Sequence, residues 1–339
     1  MCFGQSNPVP SYDGTILIGK KVMHYPAMSL ISETTEDEKS HYLVVGQAVF
    51  VTILWSSSWV IIKFGLQEIP PLTFSSLRYS IASMILLCVI YLRPELRKSA
   101  RQQNRKWWFS LVVYGIIFVT ITQGAQFLGL SLLPAVTVSM LLNLTPIVVL
   151  VMGILLLREV PTKKQIGWIL LGVSGALLYF WPVVLPATQM IGVIIVIFGV
   201  IANALSSIIG RSINRTSTTP PVVVTGLSMG FGSILLLFLS FLLEGYTQLS
   251  LLSWFLVLWL SVVNTAIAFT IWNKAMQSLR AVDISILNST MLPQIVVLSM
   301  IFLGEFPDLM DWIGLLIVVC SVLFLQINQA RKKQSQFME

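Results

Sequence analysis

The chain has 339 residues, 56% of them hydrophobic and only 10% charged, with a formal net charge of +7. Soluble globular domains average about 45–50% apolar and about 25% charged residues, so this composition excludes a soluble globular protein. The positive charge does not imply nucleic-acid binding either, because the basic residues sit beside long apolar stretches, where anionic lipid headgroups account for them.

Residues 1–42 are polar and of mixed sign, with an acidic run at Glu33, Glu36, Asp37 and Glu38. Without apolar periodicity, they read as a disordered cytoplasmic tail. Both histidines, His24 and His41, fall here, and Cys2, Cys88 and Cys320 offer neither a disulfide framework nor metal-ligand spacing. No cofactor is expected. Met28 opens a stretch that would make an alternative start to Met1.

Ten apolar stretches follow, at 43–64, 72–92, 107–129, 134–157, 164–181, 187–209, 222–243, 252–275, 282–303 and 308–327. A membrane-spanning helix needs about 20 apolar residues, so each is read as a span. The first is read as an uncleaved signal-anchor. Residues 328–339 form a second short cytoplasmic tail. All of the 21 Lys and Arg except Lys63 and Arg78 fall in the tails, in even-numbered loops or at the adjoining helix ends. Basic loops stay cytoplasmic, which puts both termini in the cytoplasm of a plasma-membrane protein.

The stretches repeat in groups of five. Thr145-Pro146 in the fourth is followed by Arg158-Glu159-Val160-Pro161 and Gly167. Leu292-Pro293 in the ninth is followed by Gly304-Glu305-Phe306-Pro307 and Gly314. Pro70-Pro71 and Pro220-Pro221 precede the second span of each group. The expected fold is therefore all-α, with ten transmembrane helices in two five-helix repeats, 43–181 and 187–327. An odd number of spans per repeat inverts the second copy. The loop charges agree: six basic residues (Arg93 to Lys106) fall in one loop, and its partner, 244–251, holds none. Inverted repeats are a mark of secondary transporters, whose solute site lies near the midplane between them.

The run Leu54-Trp55-Ser56-Ser57-Ser58-Trp59, then Lys63-Phe64-Gly65, Ile69-Pro70-Pro71 and Leu77-Arg78, resembles the opening of EamA-type proteins of the drug/metabolite transporter superfamily. The two proline–glutamate–glycine endings are similar to that family's repeat ending. The resemblance covers about 43–327 and implies a ten-helix carrier, usually an exporter of amino acids or other small metabolites. Relatives that carry nucleotide sugars or cationic drugs give a second reading, and a non-transporting sensor or scaffold a third. Where many members have Trp-Gly in the first helix, this chain has Trp55-Ser56.

Polar residues inside spans are costly unless paired or functional. The candidates for contact with a small-molecule solute are Trp55, Ser56, Gln123, Asn143, Asn203, Asn264, Asn288 and Ser289. All offer hydrogen bonds without fixed charge. The alternative reading is that such groups bond across helices and hold the bundle together. Pro146 and Pro293 are candidate hinges or fixed kinks, each freeing the carbonyl four residues earlier (Leu142 and Ser289). Arg78 either meets a solute carboxylate or an interhelical partner in an outer vestibule, or snorkels to the headgroups, as Lys63 would. Glu159 and Glu305 are read as helix caps or gates. No phosphate-binding loop is present, so ATP hydrolysis is not expected.

Overall fold

The computed structural model describes residues 15–18, 21–24, 27–157, 162–181, 186–216, 219–279, 287–288 and 290–336. They fall into two units, 1–46 and 47–339. In the first, β1 (Thr15–Ile18) pairs antiparallel with β2 (Lys21–His24), Thr15 facing His24, and α1 (Ala27–Gly65) begins. These residues were expected to be without regular structure. Two short runs rich in β-prone Thr, Ile and Val are enough to form a local hairpin.

The second unit is helical throughout its described residues. After α1 come α2 (Pro71–Leu92), α3 (Pro94–Arg101), α4 (Arg105–Gly115), α5 (Gly124–Leu132), α6 (Ala135–Asn143), α7 (Thr145–Leu157) and α8 (Lys163–Tyr179). Then follow α9 (Ala187–Thr216), α10 (Pro221–Glu244), α11 (Leu251–Ser261), α12 (Ala268–Ser278), α13 (Met291–Leu303) and α14 (Leu309–Gln336). Both Pro-Pro pairs start helices, Pro71 opening α2 and Pro221 opening α10. Proline suits this place because its missing N–H would be unpaired there anyway. Asn104 accepts from the Trp107 N–H at the start of α4, and Thr162 and Gln165 form a capping box at the start of α8.

Among the described residues, eight helical stretches are long and apolar enough to cross a membrane. They correspond to every expected span except the fifth and ninth. α8, with 17 residues, and α13, with 13, fall short of that length. Leu170, Phe238, Ile301 and Leu316 point outward with large exposed surfaces, as helices facing hydrocarbon require.

Two stretches wind as π-helix, Ile116–Gln123 joining α4 to α5 and Val262–Ile267 joining α11 to α12. In each, a threonine hydroxyl reaches the carbonyl five residues back, Thr122 to Ile117 and Thr265 to Leu260. The side chain satisfies a carbonyl that the wider turn displaces. α2 packs along α10 and α8 along α14. Glycine permits these approaches: a Cβ on Gly314 would stand 2.7 Å from the backbone nitrogen of Tyr179.

Candidate functional site

A chamber of about 440 Å³ opens inside the second unit. Its wall is formed by Trp59 of α1, Gln126 of α5, Ser139 and Asn143 of α6, Thr145 and Pro146 of α7, and Asn203 and Ser207 of α9. Asn288, Met291 and Ile295 on the approach to and along α13, and Gln326 of α14, complete it. None of these described wall residues is ionisable. The helix of the fourth span is broken here: α6 stops at Asn143 and α7 starts at Thr145, with Leu144 between them. Pro146 is thus the second residue of a new helix rather than a kink inside one. The Leu142 carbonyl that it frees accepts the Thr145 hydroxyl at 2.6 Å, and the same hydroxyl accepts the Asn203 amide at 3.2 Å.

Among the sequence candidates, the structure brings Asn143, Asn203, Asn288 and Pro146 together on this wall. Others lie elsewhere. Ser56 is buried against α13, donating to Gln294 Oε1 at 2.9 Å. The Trp55 indole N–H donates to the Asn264 carbonyl at 3.2 Å, and its ring packs against Phe269 and Trp272. Asn264 is fully buried and donates to the Leu54 carbonyl and to the hydroxyls of Ser57 and Ser58. Gln123 ends the first π-helical stretch and is half-buried, away from the chamber. Pro293 is exposed on the third position of α13. Ser289 and Glu159 lie outside the described residues.

Gln126, Ser139, Thr145, Ser207 and Gln326 also line the wall and are not among the sequence candidates. A signal was available. Ser139 with Asn143, and Asn203 with Ser207, are four apart and so share a helix face.

Because Asn264 joins α1 to the eighth span and does not reach the chamber, its amide reads as packing. Replacing Asn264 by leucine is expected to cost about 1–3 kcal/mol, the usual penalty for orphaning buried partners. Thermal unfolding of the detergent-solubilised protein would measure this; an unchanged midpoint would refute it.

Arg78 and Lys63 do not snorkel. Arg78 is only 5% exposed; its Nε donates to the Thr265 hydroxyl at 2.9 Å, and its guanidinium lies 5.4 Å from the Tyr79 ring centroid. The Lys63 ammonium donates to the carbonyls of Leu130 and Leu133 at 3.0 and 2.8 Å. Pro134 stops α5 there, leaving terminal carbonyls that attract a cation. Three residues on, the Glu305 carboxylate accepts from the N–H groups of Ala135 and Val136 at 3.0 and 3.1 Å. Gly304, in the left-handed region at φ 66°, turns the chain to present it. The two charges thus pin opposite sides of one corner, 130–136.

Nearby, Glu244 accepts from the backbone N–H groups of Leu72 and Thr73 at the start of α2. Glu68 accepts from the hydroxyls of Ser250 and Ser253 at 2.7 Å each, and these bonds, that of Ser250 foremost, hold its carboxyl below the usual glutamate range. This end of the bundle is therefore tied by carboxylates seated on helix N-termini and a lysine seated on a C-terminus. The chamber reaches away from it, to Ser207 and Gln326, which at 1.5 Å per residue lie about 25–30 Å along α9 and α14.

The EamA-like transporter family model matches residues 43–181 and again 190–327. The chain belongs to that family. It is 25% identical to the uncharacterized transporter YvbV of Bacillus subtilis, over 84% of this chain and 92% of that protein. The uncharacterized inner membrane transporter YicL of Salmonella typhimurium is also 25% identical, over 85% and 96%. A Chlamydia trachomatis protein named as an S-adenosylmethionine/S-adenosylhomocysteine transporter is 22% identical, over 82% and 89%. One crystal structure shares the fold at a TM-score of 0.59 and 17% identity, covering 87% of this chain and 98% of its own. The chain is a multi-pass membrane transporter, and Arg78, Lys63 and the chamber are features of an EamA-family protein.

Proposed function

We propose that this transporter is a secondary carrier that exports small organic metabolites across the plasma membrane. It alternates access between two inverted five-helix repeats, 43–181 and 187–327, with both termini cytoplasmic. The observation that carries the reading is a polar, uncharged chamber at a broken helix, reaching away from the corner 130–136 that Lys63 and Glu305 clamp. With the basic loops in the cytoplasm, the clamp seals the outside, and the state is inward-facing. Two matches to one family model support the repeat, as do the π-helical stretches in the third and eighth spans. Pro146 and Pro293, near the starts of α7 and α13, would let the helix ends rotate during that exchange.

The described wall residues favour this over the family's other cargoes. A nucleotide sugar needs basic groups for its phosphates, and a cationic drug needs a carboxylate or an aromatic cage; this wall has one tryptophan and neither charge. The Chlamydia relative's named cargo gives a second reading, a solute containing an adenosyl group. Five carboxamides on the wall favour it.

The test is efflux from cells preloaded with labelled solute panels, including amino acids and their toxic analogues. Asn143→Leu and Asn203→Leu, compared at equal membrane abundance, are expected to slow efflux about tenfold, as loss of a solute hydrogen bond would. Wild-type efflux from both would take them out of the site. Labelling that found 93–106 and 246–251 in the same compartment would remove the inverted arrangement.

A further inference from the structure

Resting on the carrier reading above, the geometry points to a narrower solute class. We propose that the chamber takes an uncharged, planar solute with paired donors and acceptors along one edge, such as a nucleobase or nucleoside. Five primary carboxamides, Gln126, Asn143, Asn203, Asn288 and Gln326, come to one chamber from five separate segments. Among the described residues, the side-chain amides of Gln126, Asn143 and Asn288 have no hydrogen-bond partner. A carboxamide offers a carbonyl acceptor beside an N–H donor, the pattern with which Asn and Gln pair bidentately with adenine edges.

Trp59 adds an aromatic wall to the same space. Its indole N–H likewise makes no hydrogen bond among the described residues. Aromatic side chains stack on any nucleobase face, whatever the base. At about 440 Å³, the chamber lies at the small end of ligand cavities, which span roughly 300–1,000 Å³.

A free amino acid fits this wall less well. Its carboxylate and ammonium would both leave water, and burying unpaired charges is costly. The broken helix does not supply an anion site in compensation. Pro146 has no N–H, and the amides of Ile147 and Val148 both donate to the Leu144 carbonyl, at 2.9 and 3.2 Å. Arg78, the buried cation, is not on the wall and holds Thr265 instead. The chemistry left for recognition is neutral and edge-directed.

The experiment is counterflow in proteoliposomes containing the purified full-length protein. The liposomes are preloaded with adenosine or, in a parallel arm, with leucine, and uptake of the same radiolabelled compound is followed against competing adenine, uracil, leucine and phenylalanine. Saturable exchange blocked by the heterocycles and not by the amino acids is expected. Asn143→Leu is expected to weaken the apparent adenosine affinity about tenfold and Asn143→Gln to restore most of it, a rescue that a packing role would not give. Exchange of amino acids without competition from heterocycles would overturn this assignment and leave the carrier reading standing. No exchange by either class, from liposomes holding intact protein, would overturn both.

Discussion

Gly232→Leu is expected to destabilise the protein by on the order of 3 kcal/mol, at the upper end of overpacking penalties. A Cβ at Gly232 would run into the carbonyl oxygen of Gly115 and stand 2.7 Å from the Cβ of Val119; one at Gly115 would run into the Ser228 carbonyl. Each glycine therefore meets backbone, which cannot turn aside as a side chain can. The Thr120 hydroxyl also donates to the Gly232 carbonyl at 2.8 Å across this crossing. Forcing α4 from α10 would break that bond and strip packing from the first π-helical stretch. Gly167→Ala in α8 is the control. Nothing stands within 4 Å of its Cβ position, so alanine is expected to be neutral or to gain about 0.5–1 kcal/mol from helix propensity. Thermal midpoints of the purified variants measure both. A Gly232→Leu protein as stable as wild type would show that the crossing relaxes freely.

The second large effect is expected at the clamp. Removing Glu305 orphans the amides of Ala135 and Val136, and removing Lys63 orphans the carbonyls of Leu130 and Leu133. Hydrogen bonds to charged groups contribute about 1.5–3 kcal/mol each way, and one such loss shifts a two-state equilibrium by about tenfold or more. With Ser139→Cys in the chamber wall and the native cysteines replaced by serine, Glu305→Ala and Lys63→Ala should each raise labelling by an external, membrane-impermeant maleimide about tenfold. Glu305→Gln, which keeps one acceptor, should raise it less. Unchanged labelling in both alanine variants would mean that the corner 130–136 is not what closes this end.

Much of the architecture could be read from the residues. Hydropathy located eight of the ten expected spans at membrane-crossing length, the Pro-Pro pairs located two helix starts, and the proline–glutamate–glycine endings located Glu305. The two glycines of that motif show where such reading stops. Gly314 is pressed against the backbone of α8, whereas Gly167 faces open space. Likewise Asn203 and Asn264 are the same residue type inside apolar helices, yet one lines the chamber and the other binds α1. Trp55 and Trp59, one helical turn apart, divide in the same way.

From composition and order alone came the membrane environment, eight of the segments long enough to cross it and the polar groups buried in them, because transfer free energy depends on residue type. Rotation of each helix about its axis came only from tertiary packing. Spans that are apolar all round carry no stripe to say which side turns inward, so backbone contacts at the glycines and carboxylates at the helix ends decide which amides share a chamber and which are used up as glue.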